Sequence, residues 1–452
     1  MKTARILLLA LATAAQPAVA EDLLQVFRDS QRYDATFSAA RNTLAAGRER
    51  LPQGRALLLP TLGLSGRAER ARIDSDSRDP ALAPSFVRNP ESVGYTLTFT
   101  QPIFRAQNFM QYQQGEFQVR QAEATFGQAS QDLIVRVSQA YFDVLGQYDT
   151  LTLVRAQKAA TSEQLAQAKR NFEVGTATIT DTHEAQSRYD LIAAQEIAAL
   201  NDLQGRRRQL QLIAGREYTE LKQLRGDIKL TPPNPENVET WAELAEKQSY
   251  TVLAQEAAAE VASLEARRAS AGHLPTLDFV ATYGQSAESA STTSSVGRDT
   301  NSSSVGLRLE LPIFQGGSVS SREREAAALY QRSKDDVDNA RRTAVLTARQ
   351  LYLSVLNGIS QVAALEQAKV SSQSALDSNK LGYEVGIRIN IDVLNAQQQL
   401  YSTERDLALA RYNTILNNLR LKASAGTLRE EDLEEINRVL TVAVGRPPDA
   451  AR

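Results

Sequence analysis

The chain is written twice, and this limits its fold more than any other feature. From Tyr141 to Gly215 it recurs without a gap as Tyr352 to Gly426, at an offset of 211. Within that span Phe172-Glu173-Val174-Gly175 returns as Tyr383-Glu384-Val385-Gly386, and Asp181 returns as Asp392. Upstream, Leu59-Pro60-Thr61-Leu62 matches Leu274-Pro275-Thr276-Leu277 at 215, and Pro102-Ile103-Phe104 matches Pro312-Ile313-Phe314 at 210. No proline lies between Pro102 and Pro232 or between Pro312 and Pro447, so each copy can carry long unbroken helices. The expected organisation is one repeat over 21–231 and a second over 232–444, parted by the Pro-rich stretch at 231–235.

Residues 1–20 read as an export signal. Lys2 and Arg5 precede the apolar run Ile6 to Ala15, and Ala18-Val19-Ala20 supplies small residues for cleavage between Ala20 and Glu21. No cysteine occurs anywhere, which excludes disulfides, thiolate metal sites and a lipid anchor at the cleavage site. Two histidines leave little for acid–base or metal chemistry, so an enzyme is disfavoured and no cofactor or metal is expected. The net charge of −2 becomes about −4 once Lys2 and Arg5 leave with the signal, which argues against nucleic acid as a partner. Outside the signal no apolar run approaches the ~18 residues of a membrane helix. The tail 445–452, with Pro447 and Pro448, reads as disordered.

Between the upstream landmarks the pattern alternates with period two. Val93, Tyr95, Leu97 and Phe99 fall on one side, and Ser92, Gly94, Thr96, Thr98 and Thr100 on the other. Leu277, Phe279, Ala281 and Tyr283, then Val305, Leu307, Leu309 and Leu311, repeat the pattern, and Leu62, Leu64 and Ala68 give a weaker fourth strand. The spacing predicts strand hairpins at 60–101 and 275–311, with polar tips at 74–91 and 285–303. Strands of about ten residues with one greasy face suit a bilayer-spanning barrel, for which ~9–11 residues suffice. Four strands cannot close a barrel that needs about eight, and open edges are not tolerated in lipid. Copies of the chain must therefore combine: two would give eight strands and three would give twelve. Soluble hairpins packed on helices are the alternative, and they would leave the alternating faces without a wet side.

After each hairpin the period becomes helical. Phe126, Ala129, Leu133, Val137, Ala140, Val144, Tyr148 and Leu151 follow one another at about 3.6 residues per step, a coiled-coil-like stripe. Long helices are expected over 107–170 and 318–381, and the first would span roughly 96 Å at ~1.5 Å per residue. Each runs into a short tip, 171–181 or 382–392, and then a return helix.

These features together resemble the TolC family of Gram-negative outer-membrane exit ducts, over essentially all of the mature sequence. The doubled Leu-Pro-Thr-Leu and Pro-Ile-Phe landmarks carry the resemblance. So do Gly272-His273-Leu274-Pro275-Thr276-Leu277-Asp278, Pro312-Ile313-Phe314-Gln315-Gly316-Gly317, Tyr383-Glu384-Val385-Gly386 and Asp392-Val393-Leu394. It implies an α+β membrane protein: a homotrimer whose four transmembrane strands per chain form one twelve-stranded barrel, continued through the periplasm by a coiled-coil α-helical barrel. It further implies a passive duct for multidrug efflux, type I secretion or both, opened when a periplasmic adaptor (membrane fusion protein) and an inner-membrane RND or ABC transporter dock. A dedicated type I secretion duct for one large exported protein is the alternative. Outer-membrane lipid would surround the barrel.

The resemblance places a periplasmic aperture at the two tips. It implies that Thr180, Asp181, Tyr383 and Arg388 link neighbouring coils in the closed state, and that Asp392 rings the narrowest point. It assigns Val174-Gly175-Thr176 and Val385-Gly386-Ile387 to the adaptor. Read on residues alone, Asp181 and Asp392 can equally cap the following helices, and Gly175 and Gly386 can serve only a positive φ. The family pattern has a second acidic residue one turn after the first, where this chain has Asn395.

Other conspicuous residues have plainer readings. His183 and His273 lack partners for a metal site, and Gly316-Gly317 lacks the Lys and spacing of a phosphate loop. Arg206-Arg207-Arg208 reads as a solvated helix face, and Glu434-Glu435 as exposed charge without a glycosidase partner. A periplasmic adaptor would hold one hairpin within lipoyl-like segments, whereas this architecture is doubled. A self-standing porin would need more strands and no such helices.

Asn395 generates the first test. A ring short of three carboxylates per trimer attracts multivalent cations less strongly. Titrating single-channel conductance with a trivalent cation should show weaker block than in a two-ring relative, and Asn395→Asp should strengthen it.

Overall fold

The computed structural model describes residues 21–79, 81, 84–218, 220–226, 228–290 and 294–444. The expected signal at 1–20 with Ala20, and the tail at 445–452, lie outside the described residues. In order, the chain forms α1 (Leu23–Tyr33), α2 (Ala35–Arg48), α3 (Arg50–Ala56), β1 (Thr61–Arg70), β2 (Ile73–Ser75), β3 (Phe86–Arg88), β4 (Glu91–Phe104), α4 (Ala106–Glu173) and α5 (Ile179–Ala214). Then follow β5 (Leu221–Leu224), α6 (Val238–Gln248), α7 (Tyr250–Ser270), a 3₁₀ turn at Ala271–His273, β6 (Thr276–Glu288), β7 (Arg298–Glu310), α8 (Ser318–Glu384), α9 (Asn390–Ser424), α10 (Glu430–Val439) and β8 (Leu440–Val444).

The compact units do not follow the sequence repeats. One is built from 41–127 and 250–342, and the other from the described parts of 1–40, 128–249 and 343–452. Each draws on both repeats, because the strands of one copy hydrogen-bond to those of the other and neither hairpin stands alone.

The first unit holds the four-stranded antiparallel sheet, ordered β1-β4-β6-β7. Its register aligns the apolar alternation across every strand. Leu64 lies opposite Leu97, Leu97 opposite Tyr283, Phe99 opposite Ala281, and Ala281 opposite Val305. Directly paired residues share a face, so these side chains form one continuous apolar surface. Leu64 is 72% exposed and Leu307 66% exposed. The opposite face carries Ser65, Thr96, Thr98, Thr282 and Ser304, with the hydroxyls of Thr282 and Ser304 2.7 Å apart. β1 and β7 are exposed along their whole length, each with an edge unpaired within the chain.

Both polar tips are more ordered than the alternation predicts. Pairing of β6 and β7 continues through Glu288 opposite Arg298, inside the stretch read as a tip, because Ser and Thr still satisfy a ladder. The first tip carries the small β2–β3 hairpin. Where β4 ends, Arg105 donates to the Asp278 carboxylate on β6 through two hydrogen bonds of 2.8 and 2.5 Å. Asp278 is buried and this bidentate pair gives it a compensating charge.

In the second unit the helical stripe is buried, with Leu133 and Val137 fully so and Val144 and Leu151 nearly so. α1 packs Leu23, Val26 and Phe27 inward, and Arg136 of α4 holds the buried Asp34 through bonds of 3.1 and 3.0 Å. A two-stranded sheet of β5 and β8, joined by a parallel bridge from Glu21 to Leu221, was not expected. The Tyr141 hydroxyl, on α4, donates to the carbonyl of Lys222 on β5 at 2.7 Å. Among the described residues no helix is long and apolar enough to cross a membrane.

Asp149 on α4 sits where three elements meet. It accepts from the Tyr412 hydroxyl on α9 at 2.6 Å and from the Gln223 amide on β5 at 3.2 Å. Tyr412 stacks on Phe142, with centroids 5.4 Å apart. Burial pushes the Asp149 carboxyl up from 3.8 to about 6, and the Tyr412 bond only partly opposes this. A carboxyl whose folded pKa is raised favours folding in its protonated form. This contribution is complete below about pH 4 and is lost as pH rises through about 6. Thermal unfolding should therefore move to lower temperature between about pH 5 and about pH 8, and Asp149→Asn should flatten that slope.

Candidate gate at the helical tips

The two tips share one backbone. α4 ends with Thr176 N–H donating to the Asn171 carbonyl and Gly175 N–H to that of Phe172; α8 ends with Ile387 N–H donating to Gly382 and Gly386 N–H to Tyr383. This is the Schellman termination, which needs a left-handed residue at its close. Gly175 and Gly386 supply it, each at φ 80°. The repeated glycine is thus required by the turn itself, whatever else the Val-Gly pair does. Val174, Val385 and Ile387 are 73%, 62% and 78% exposed, and Thr176 is exposed with them, which leaves apolar surface at both tips.

The return helices begin differently. Thr178 and Asp181 form a capping box: the Asp181 carboxylate accepts from the Thr178 backbone N–H at 2.8 Å and from its hydroxyl at 2.7 Å. The Thr178 hydroxyl accepts from the Asp181 N–H at 3.3 Å. In the second copy Ile389 stands where Thr178 does, so α9 has no side-chain cap. The Asp392 carboxylate is 3.6 Å from Arg388 instead. Capping therefore describes Asp181 and not Asp392, which can still favour the helix start through the dipole. Thr180 is exposed at the start of α5.

Contacts between the two hairpins use mostly neutral groups. Asn171 donates to the Tyr383 hydroxyl at 3.2 Å. Gln164 on α4 donates to the Asn390 side-chain oxygen at 2.6 Å, and the Asn390 amide donates to the Asp181 carbonyl at a longer 3.4 Å. Arg188 on α5 donates to Asn395 at 2.9 Å and Gln398 at 2.6 Å on α9. Leu165, Ala168, Ala185 and Leu394 pack beneath, flanked by Tyr189 and Ile391. Farther along α5, Glu196 accepts from Lys158 and Arg155 of α4, each at 2.9 Å. Hydrogen bonding by Lys158 above all holds the Glu196 carboxyl below its ordinary value.

Within the chain, Asp181, Tyr383 and Arg388 thus each have a nearer partner than one another. Asn171, Gln164, Asn390 and Arg188 were not singled out in the sequence. Their signal is the broken repeat: Asn171 corresponds to Gly382, and Asn390 to Ile179. Among the described residues no group of three or more His, Cys, Asp or Glu side chains could hold a metal.

The profile of the family described as "Outer membrane efflux protein" matches residues 29–216 and 241–427. The chain belongs to this family. The chain is 33% identical over 437 residues to outer membrane protein TolC of Vibrio cholerae serotype O1, covering 96% of this chain and 97% of that one. It is 32% identical over 423 residues to the alkaline protease secretion protein AprF of Pseudomonas aeruginosa, covering 93% and 87%. Its fold matches the crystal structure of the Campylobacter jejuni CmeC outer membrane channel at a TM-score of 0.77, with 16% identity over 93% of this chain and 90% of that one. The chain is accordingly an outer-membrane protein of the α+β tunnel fold, in a family of channels for efflux and secretion.

Proposed function

We propose that three copies of this chain form a passive outer-membrane channel-tunnel, the exit duct for drug efflux, type I protein secretion or both. The observation that carries this reading is the four-stranded sheet, with an apolar face turned out and an unpaired edge at each end. Three such sheets joined edge to edge give a twelve-stranded barrel with its polar face inward. The strands lead along the chain into α4 and α8, helices of 68 and 67 residues, which supply the periplasmic tunnel wall. The duct performs no chemistry, and its energy comes from the transporter that docks.

In this reading the tips are the periplasmic aperture. Thr180, Asp181, Tyr383 and Arg388 contribute links between coils, Asp392 lines the constriction, and Asn395 removes a second acidic ring. Val174-Gly175-Thr176 and Val385-Gly386-Ile387 offer exposed apolar turns to the hairpin of a periplasmic adaptor, which brings an inner-membrane RND or ABC transporter. A dedicated type I secretion duct is the second reading, favoured by likeness to AprF and to the proteases secretion protein PrtF of Dickeya chrysanthemi, 31% identical over 443 residues.

Gene deletion separates the two. Drug hypersensitivity with an unchanged secreted profile is expected for an efflux duct. Loss of one large exported protein with unchanged susceptibility marks the dedicated duct, and no change in either means a redundant paralogue or a wrong reading.

A further inference from the structure

Asn390 is a polar side chain where the repeat calls for an apolar one. Its counterpart Ile179 is 47% exposed, whereas Asn390 is fully buried, at the first residue of α9. Burying an amide is costly unless its groups are paired. Both are: the oxygen accepts from Gln164, itself 7% exposed, and the nitrogen donates to the Asp181 carbonyl. One side chain on α9 thereby touches α4 and α5, the two arms of the other hairpin. A single buried Asn between packed helices fixes their register at a cost in stability, because any other alignment leaves the amide unpaired.

Among the charged groups nearby, Arg188 of α5 reaches Asn395 and Gln398 on α9, while others are engaged locally. Asp181 is occupied by Thr178, and Arg388 lies against Asp392 on its own segment. We infer that the Gln164–Asn390–Asp181 bridge is a neutral clasp holding the second hairpin against the first, and that it sets the resting closure of the aperture. This rests on the reading of the tips as the gate. Closure through amides and a backbone carbonyl involves no titrating group, so this part of the latch persists across salt and pH, unlike a carboxylate–guanidinium link.

Planar-bilayer conductance of the full-length protein tests the clasp. Asn390→Leu keeps the branched outline with a bulkier side chain and removes both bonds, Gln164→Leu removes one from the other side, and detergent-resistant oligomer migration checks assembly of each. Losing one buried amide hydrogen bond should raise the open-to-closed ratio about fivefold per chain. Asn390→Asp gives a readout that mere destabilisation would not. Its carboxylate can accept from Gln164 but cannot donate to Asp181, and Asp181 on α5 and Asp392 on α9 add repulsion that Arg388, against Asp392, and Arg188 of α5 partly offset. On α4 the hydrogen-bonding contact is the neutral Gln164, and Leu165 and Ala168 belong to the apolar cluster with Leu394. Protonation restores a donor, so this variant should conduct several-fold more at about pH 8 than at about pH 5, while Asn390→Leu is raised at both.

Tyr383→Phe and Arg388→Ser run alongside. If these open the channel while the Asn390 and Gln164 variants stay closed, the tips gate but the clasp is wrong. If none of the variants opens it, the reading of the tips as the gate fails and the inference fails with it.

Discussion

A β-sheet in lipid must leave no backbone group unpaired, and the rest of this structure follows from how far one chain falls short of that. Each unsatisfied N–H or C=O in the hydrocarbon costs several kcal/mol, so edges such as those of β1 and β7 cannot remain open there. The register makes the sheet suitable for lipid on one face and water on the other. Its four strands are too few to close alone. In the proposed reading, assembly of several copies closes the sheet, and the same need extends to the helices that continue from the strands.

The duplicated helical hairpins show what repetition keeps and what it releases. The Schellman turns are the same, and glycine supplies the left-handed residue that closes both. Side chains around the turns have diverged. Thr178 caps α5 but Ile389 cannot cap α9; Asn390 is buried where Ile179 is exposed. A common scaffold with unlike chemistry lets one tip lean on the other, which two identical tips could do less selectively.

Much of the fold was legible from periodicity. Alternation at Val93–Phe99 and Val305–Leu311 identified strands with one apolar face, and the stripe through Leu133 and Leu151 identified a buried helical seam. What escaped has physical reasons. Leu221-Lys222-Gln223-Leu224 is too short for a period, and its partner β8 lies more than 200 residues away. The compact units mix both repeats because strand pairing joins them. At the tips the acidic and basic residues drew attention, while the groups that bridge the hairpins are largely amides. Asn and Gln are unremarkable in a sequence, and only three-dimensional proximity shows that Gln164 and Asn390, 226 residues apart, are partners.

The most direct test of the central claim is the mass of the detergent-extracted protein, from light scattering with the detergent contribution subtracted. The account predicts three copies per particle, enough strands for one closed twelve-stranded barrel. A well-folded particle of one or two copies would contradict it.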